Sequence, residues 1–213
     1  MRPFASFTAA AVLVLTLTAC TSAPAADAGK VPDSGKTPDT APVATATPAP
    51  APTETAEASE YGPVVKSTRG NLVKELGQLS GTSSARSEVA TSRFAVTDIV
   101  LDPECTSSFP QAPVNGHFLG IHLNIETTPE LAEEDYPWMT FTPYDWQAYD
   151  GEGKRLNDPV GNAWSCFDTT QQVPAQIGPG QSVSGWIVLD VAATTGAVVL
   201  TMGGNPIGWE WVY

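Results

Sequence analysis

His117-Phe118-Leu119-Gly120-Ile121-His122-Leu123-Asn124-Ile125 is the stretch on which the fold turns. Leu119, Ile121, Leu123 and Ile125 share one face, and Gly120, His122 and Asn124 share the other, which is the period of two that a half-buried strand imposes. Segment 93–101 alternates in the same way, with Ala95, Thr97, Ile99 and Leu101 opposite Phe94, Val96, Asp98 and Val100. Further strands are expected at 71–76, 146–149, 184–191, 197–202 and 209–213, and 185–191 reads as a central one. Between them stand turn signals: Asp150-Gly151-Glu152-Gly153, Gly178-Pro179-Gly180-Gln181 and Gly203-Gly204-Asn205-Pro206. Residues 129–138 have room for one or two helical turns, and no long amphipathic helix interrupts the series. Seven or eight short strands with regular turns predict an all-β fold, an antiparallel β-sandwich of the immunoglobulin type in preference to a closed barrel.

Upstream of this domain the composition changes twice. Met1 and Arg2 give a positive end, and 5–17 is apolar apart from Ser6, Thr8 and Thr16. That run is shorter than the roughly 20 residues a transmembrane helix needs, so 1–19 reads as a signal peptide. Leu17-Thr18-Ala19-Cys20 resembles a bacterial lipobox, which implies a lipid on the Cys20 thiol and attachment to the outer face of the membrane. Each buried acyl CH₂ contributes about 0.8 kcal/mol, so two or three chains hold far better than one. Residues 20–60 follow, rich in Pro, Ala, Thr and Ser and without an aromatic side chain before the domain begins. Such a segment cannot bury enough apolar surface to offset chain entropy and reads as a disordered linker. The remainder, 61–213, is long enough for one domain that buries close to 70% of its unfolded surface.

Charge and cysteine use narrow the possibilities further. The chain carries 23 acidic and 10 basic side chains for a formal charge of −13. Phosphate-backbone binding needs clustered Lys and Arg, and these are scattered, so nucleic acid is disfavoured as a partner. With Cys20 lipidated, Cys105 and Cys166 remain as an even pair in an exported chain, and a disulfide between them is expected. Closing a loop of on the order of 60 residues stabilises by roughly 4 kcal/mol at most. The alternative is a free, reactive thiol.

In order along the chain, several short pieces resemble a known family. They are Arg69-Gly70-Asn71 followed by Gly77-Gln78, Asp102-Pro103 with Cys105 close behind, and Asn115-Gly116-His117-Phe118 opening a strand. The series continues with Pro143-Tyr144-Asp145-Trp146, the Asp150 turn, Cys166, Pro179-Gly180-Gln181 and the strand at 185–191. Together they resemble the immunoglobulin-like domain of unknown function of actinobacterial and firmicute lipoproteins, akin to the mycobacterial immunoprotective extracellular antigen. The resemblance implies a fold and a cell-envelope location. It transfers no activity, cofactor or catalytic residue.

Enzymatic readings find little support in the residues. Gly180 to Ser184 only approaches a G-x-S-x-G elbow, and both His117 and His122 precede it, against the order Ser, acid, His. A Cys166 nucleophile with a histidine base would be the minor enzymatic alternative, a cysteine-dependent cell-wall enzyme. His117 and His122 are five apart and point to opposite faces of a strand, so they do not share a metal ion. The Asp150 turn has Lys154 and Gly161 where a calcium loop needs oxygen ligands, and reads as a β-turn. No catalytic residue, metal or cofactor is therefore expected. The aromatic residues carry the remaining signal: Tyr136, Trp138, Tyr144, Trp146 and Tyr149 cluster in sequence with Asp145 and Asp150 among them. Sugar-binding sandwiches stack rings on Trp and Tyr and bind hydroxyls with carboxylates. Trp138, Tyr144, Trp146 and Tyr149 are accordingly the candidate ligand-binding residues, set against ordinary core packing of large aromatics. The expected function is a non-enzymatic, surface-displayed binding module whose partner is an envelope protein or a cell-wall polymer.

Overall fold

A computed structural model describes residues 60–213. The segment 1–19, Cys20 and the linker up to residue 59 lie outside the described residues. Eight strands occur among the described residues: β1 (Leu72–Val73), β2 (Ser80–Ser83), β3 (Ala90–Leu101), β4 (His117–Thr127), β5 (Trp146–Asp150), β6 (Ser182–Val191), β7 (Gly196–Leu200) and β8 (Trp209–Val212). They form two four-stranded sheets, in the orders β1-β8-β7-β5 and β2-β3-β4-β6. All pairs are antiparallel except β1 with β8. The result is an all-β sandwich.

The alternation read at 117–125 is β4, whose Leu119, Ile121, Leu123 and Ile125 are fully buried. They meet Trp146 and Ala148 of β5, Val198 and Leu200 of β7 and Trp211 of β8 in the inter-sheet core. In β3 the regular alternation breaks. The register with β4 slips between Val96 and Asp98, so Thr97 is an extra residue, a β-bulge. Its hydroxyl hydrogen-bonds His122 Nδ1 at 2.7 Å. Phe94 and Val96 face the core before the bulge, and Ile99 and Leu101 pack against it afterwards. The expected grouping of Val100 and Asp98 with Phe94 is corrected by that one inserted residue.

The other strands need smaller corrections. The expected strand at 71–76 is only two residues long in β1, and β2 carries a Ser-Gly-Thr-Ser sequence with no apolar alternation to mark it. The run 185–191, expected to be central, lies in β6 at the end of its sheet order. It is largely buried on both faces because a second, smaller cluster covers its outer side. There Phe118, Val188, Ala163, Cys166 and Phe167 are buried together, with Trp186 stacked on Phe167 at 5.1 Å. The Cys105–Cys166 disulfide closes this cluster. Residues 129–138 hold a 3-10 turn over Pro129–Glu133, where Leu131 is buried.

Two buried carboxylates fasten the ends of the sandwich. Glu210 of β8 accepts from Arg69 Nη2 at 2.5 Å, Arg69 Nε at 3.2 Å, Ser67 Oγ at 2.8 Å and Asn71 Nδ2 at 2.9 Å. Burial pushes its carboxyl up, but those hydrogen bonds and the Arg69 charge outweigh burial and hold it below its ordinary value. The network ties the segment just before β1 to β8, 139 to 143 positions apart in sequence. Asp190 of β6 is fully buried and accepts from the backbone N–H groups of Val114, Asn115 and Asn162 at 2.7, 2.8 and 3.1 Å. It pins two loops against the sheet. Gly161 permits this approach, since a Cβ there would meet Asp190 Oδ2 at 2.2 Å.

Candidate functional site

The chain leaves β4 at Thr128, whose hydroxyl donates to Ala90 O at 2.7 Å. That bond and the buried Leu131 clamp the following segment beside β3. The chain then lines a groove together with Thr82 and Ser83 of β2 and returns at Met139, which exchanges backbone hydrogen bonds with Ile177 at 2.9 and 3.0 Å. Between these two fixed points Tyr136 and Trp138 stand out from the surface. Trp138 N donates to Tyr136 O at 2.8 Å, and the two rings meet edge to face with centroids 5.7 Å apart. Tyr136 is 73% exposed and Trp138 39%.

These rings border a groove of about 420 Å³. Thr82 and Ser83 of β2, Thr91 of β3 and Thr140 supply hydroxyls; Met139 and Met202 supply thioethers; Glu134, Asp135 and Asp145 supply carboxylates. Asp145 is held by a capping box, accepting from Thr142 N at 2.7 Å and Thr142 Oγ1 at 2.8 Å. Asp135 pairs with Arg86. Both side chains are largely exposed, so this pair contributes little to stability and serves to position charge at the rim. Aromatic faces, hydroxyls and fixed acceptors in one open groove suit a ligand with both apolar ring faces and many hydroxyls.

The four aromatic residues expected to bind ligand do not form one platform. Trp138 lies in the groove. Trp146 is 2% exposed, and its ring packs against Trp211 at 5.7 Å inside the core. It takes an inward position of β5, so it cannot stack on a ligand, and its assignment as a binding residue is corrected. Tyr144 is 82% exposed on the 3-10 turn Pro143–Asp145 and does not border the groove. Tyr149 lies on the outward face of β5 beneath the Arg69 guanidinium, 4.4 Å from its ring centroid, and its hydroxyl donates to Gln147 Oε1. Sequence reasoning did not single out Thr82, Ser83, Thr91 or Met202. They come from three separate parts of the chain, on or beside both sheets, and only the packing of one sheet on the other brings them beside Trp138.

The enzymatic alternative meets a direct obstacle, because Cys166 Sγ is bonded to Cys105 and the residue is buried. The disulfide expected from the even pair is present, and no thiolate is available there. His117 Nδ1 lies 2.8 Å from Asp102 Oδ2 at the strand end, while His122 stacks edge-on against Trp186 on the outer face at 4.8 Å. Among the described residues no group of three His, Cys, Asp or Glu side chains gathers as a metal site. At Asp150 the carboxylate accepts from Glu152 N and Lys154 N, which closes the turn on itself.

No protein-family model matches the chain, and no curated protein matches it. Among solved structures it is similar to MPT63, a secreted protein from Mycobacterium tuberculosis whose crystal structure extends to 1.5 Å, at 14% sequence identity and a TM-score of 0.44. The similarity covers 66% of this chain and 96% of that one.

Proposed function

We propose that this chain is a non-enzymatic binding module of immunoglobulin-like type, displayed outside the cell membrane by a lipid on Cys20 and by the linker 20–60. Its groove receives a hydroxyl-rich polymer of the cell envelope. The observation that carries the ligand class is the exposed Tyr136–Trp138 pair beside Glu134 and Asp145 in an open groove. A sugar ring presents an apolar face to the aromatic pair and its equatorial hydroxyls to the carboxylates and threonines. Such contacts gain from burying apolar area on both partners while every polar group keeps a hydrogen bond. The Cys105–Cys166 bond suits an oxidising compartment, where wall polymers are found.

Purified full-length protein should sediment with isolated cell wall and be released by soluble wall polysaccharide. Wild-type protein that stays in the supernatant at every wall concentration sinks the polymer reading. For the anchor, a Cys20→Ala variant should leave the detergent phase for the medium, or stay unprocessed; unchanged membrane retention would reject lipidation.

A further inference from the structure

The groove at Trp138 does not end at β2. Thr82 and Ser83 also border a second groove of about 340 Å³, which opens between the β1 and β2 edges of the two sheets. Ser80, Trp209 and Lys74 also line it. Ser83 is thus a saddle between two cavities, and it is exposed.

The residues under this second groove are unusual for a sandwich interior. Ser80 pairs with Phe94 and Thr82 with Ser92 across the β2–β3 ladder, so Ser80 and Thr82 share the inward face with Phe94. Inward positions of a sandwich are ordinarily apolar. Here they are hydroxyls, and Thr82 Oγ1 bonds both Thr91 Oγ1 and Ser92 Oγ, at 2.9 and 2.8 Å. Ser80 is 1% exposed, and its Oγ has no hydrogen-bond partner. A buried hydroxyl left unpaired is unfavourable, and a ligand hydroxyl that reaches it removes the penalty. Valine or alanine at position 80 would have avoided it.

The second groove also repeats the chemistry of the first. Trp209 is half-buried, set edge to face on Phe94 at 5.0 Å, and offers an aromatic wall. Lys74 Nζ donates to Tyr61 O at 2.7 Å and Leu79 O at 2.8 Å, which leaves one of its three protons for a ligand oxygen. An aromatic wall, a fixed donor and an unpaired hydroxyl form a built subsite. At a strand rise of about 3.3 Å per residue, Ser80 and Ser83 lie about 10 Å apart, longer than one sugar ring.

We propose that the two grooves form one extended site, in which a linear oligosaccharide of several rings runs from Tyr136 and Trp138 over Ser83 to Trp209, Lys74 and Ser80. The proposal rests on the envelope-polymer reading above and adds chain length to it. The test measures affinity of full-length protein for size-fractionated oligosaccharides, two to six rings long, released from purified cell wall. Wild-type affinity should rise at least tenfold between the shortest and the longest fragments. Ser83→Trp fills the saddle at an exposed position; it should melt with wild type and lose the gain with length. Ser80→Ala should weaken only the long fragments, by several-fold. Equal affinity for short and long fragments would overturn the extended site while leaving the first groove in place, and so would an undiminished length gain in a folded Ser83→Trp. If no fragment binds wild type, the polymer reading and the extension fall together.

Discussion

Glu210 illustrates how one side chain contributes to the acid stability of the domain. Its carboxylate accepts the hydrogen bonds that tie the segment before β1 to β8, and it is held below its ordinary value. A depressed carboxyl stabilises the fold above the unfolded value of about 4.3 and loses that contribution as pH falls through the folded one. Glu210→Gln should cost about 3 kcal/mol at pH 7, where Arg69 loses its countercharge, and should flatten the acid limb of stability measured by urea unfolding between pH 7 and pH 3. An unchanged acid limb would show that other carboxyls dominate. Trp146 and Trp138 make the complementary case. Both lie in the same aromatic-rich run, and neither residue type nor spacing separates them. The pairing of Trp146 with Leu200 on β7 turns one ring inward, whereas the loop after Pro129–Glu133 turns the other outward. That choice depends on contacts distant in sequence, which is why the core residue passed as a candidate for binding.

At the scale of elements, the strands legible in advance were those whose alternation is apolar against polar, β4 above all. The bulge at Thr97 was not legible, because an inserted residue leaves the composition of a strand intact and changes only its phase. Its consequence is testable. Ile99→Ala should cost about 2 kcal/mol, since Ile99 packs on the core, while Val100→Ala should stay under 1 kcal/mol because Val100 is exposed. Urea midpoints that rank the two the other way would restore the unbroken alternation. β2 escaped notice for a different reason: its inward residues are Ser80 and Thr82, and a hydrophobic-pattern reading has nothing to register there. The same hydroxyls are what give the groove its polar floor. The apolar run of β6 gave the reverse error, suggesting a central strand where the disulfide-closed cluster of Phe118, Phe167 and Trp186 covers an end strand.

For the molecule as a whole, the sandwich and its staple were legible from strand spacing and an even cysteine pair, while the groove depended on where the two sheets meet. The disulfide closes 61 residues of sequence, so Cys105→Ser with Cys166→Ser should lower stability by about 2 to 4 kcal/mol in thermal or urea unfolding. A loss under 1 kcal/mol would mean that the outer cluster holds without it. The acidic balance of the chain favours solubility over adhesion to anionic lipid, so the function we propose assigns attachment to Cys20 and specificity to the groove. We propose that the exposed aromatics bind while the buried ones hold the fold. Titration of soluble wall polysaccharide into wild type, Trp138→Ala and Trp146→Ala, with a melting curve for each, tests it most directly. Trp138→Ala should keep its melting temperature within about 2 °C and lose at least tenfold in affinity, whereas Trp146→Ala should melt lower by on the order of 10 °C, as a core tryptophan worth about 3 to 5 kcal/mol requires. Undiminished polysaccharide affinity in a stably folded Trp138→Ala would contradict the account.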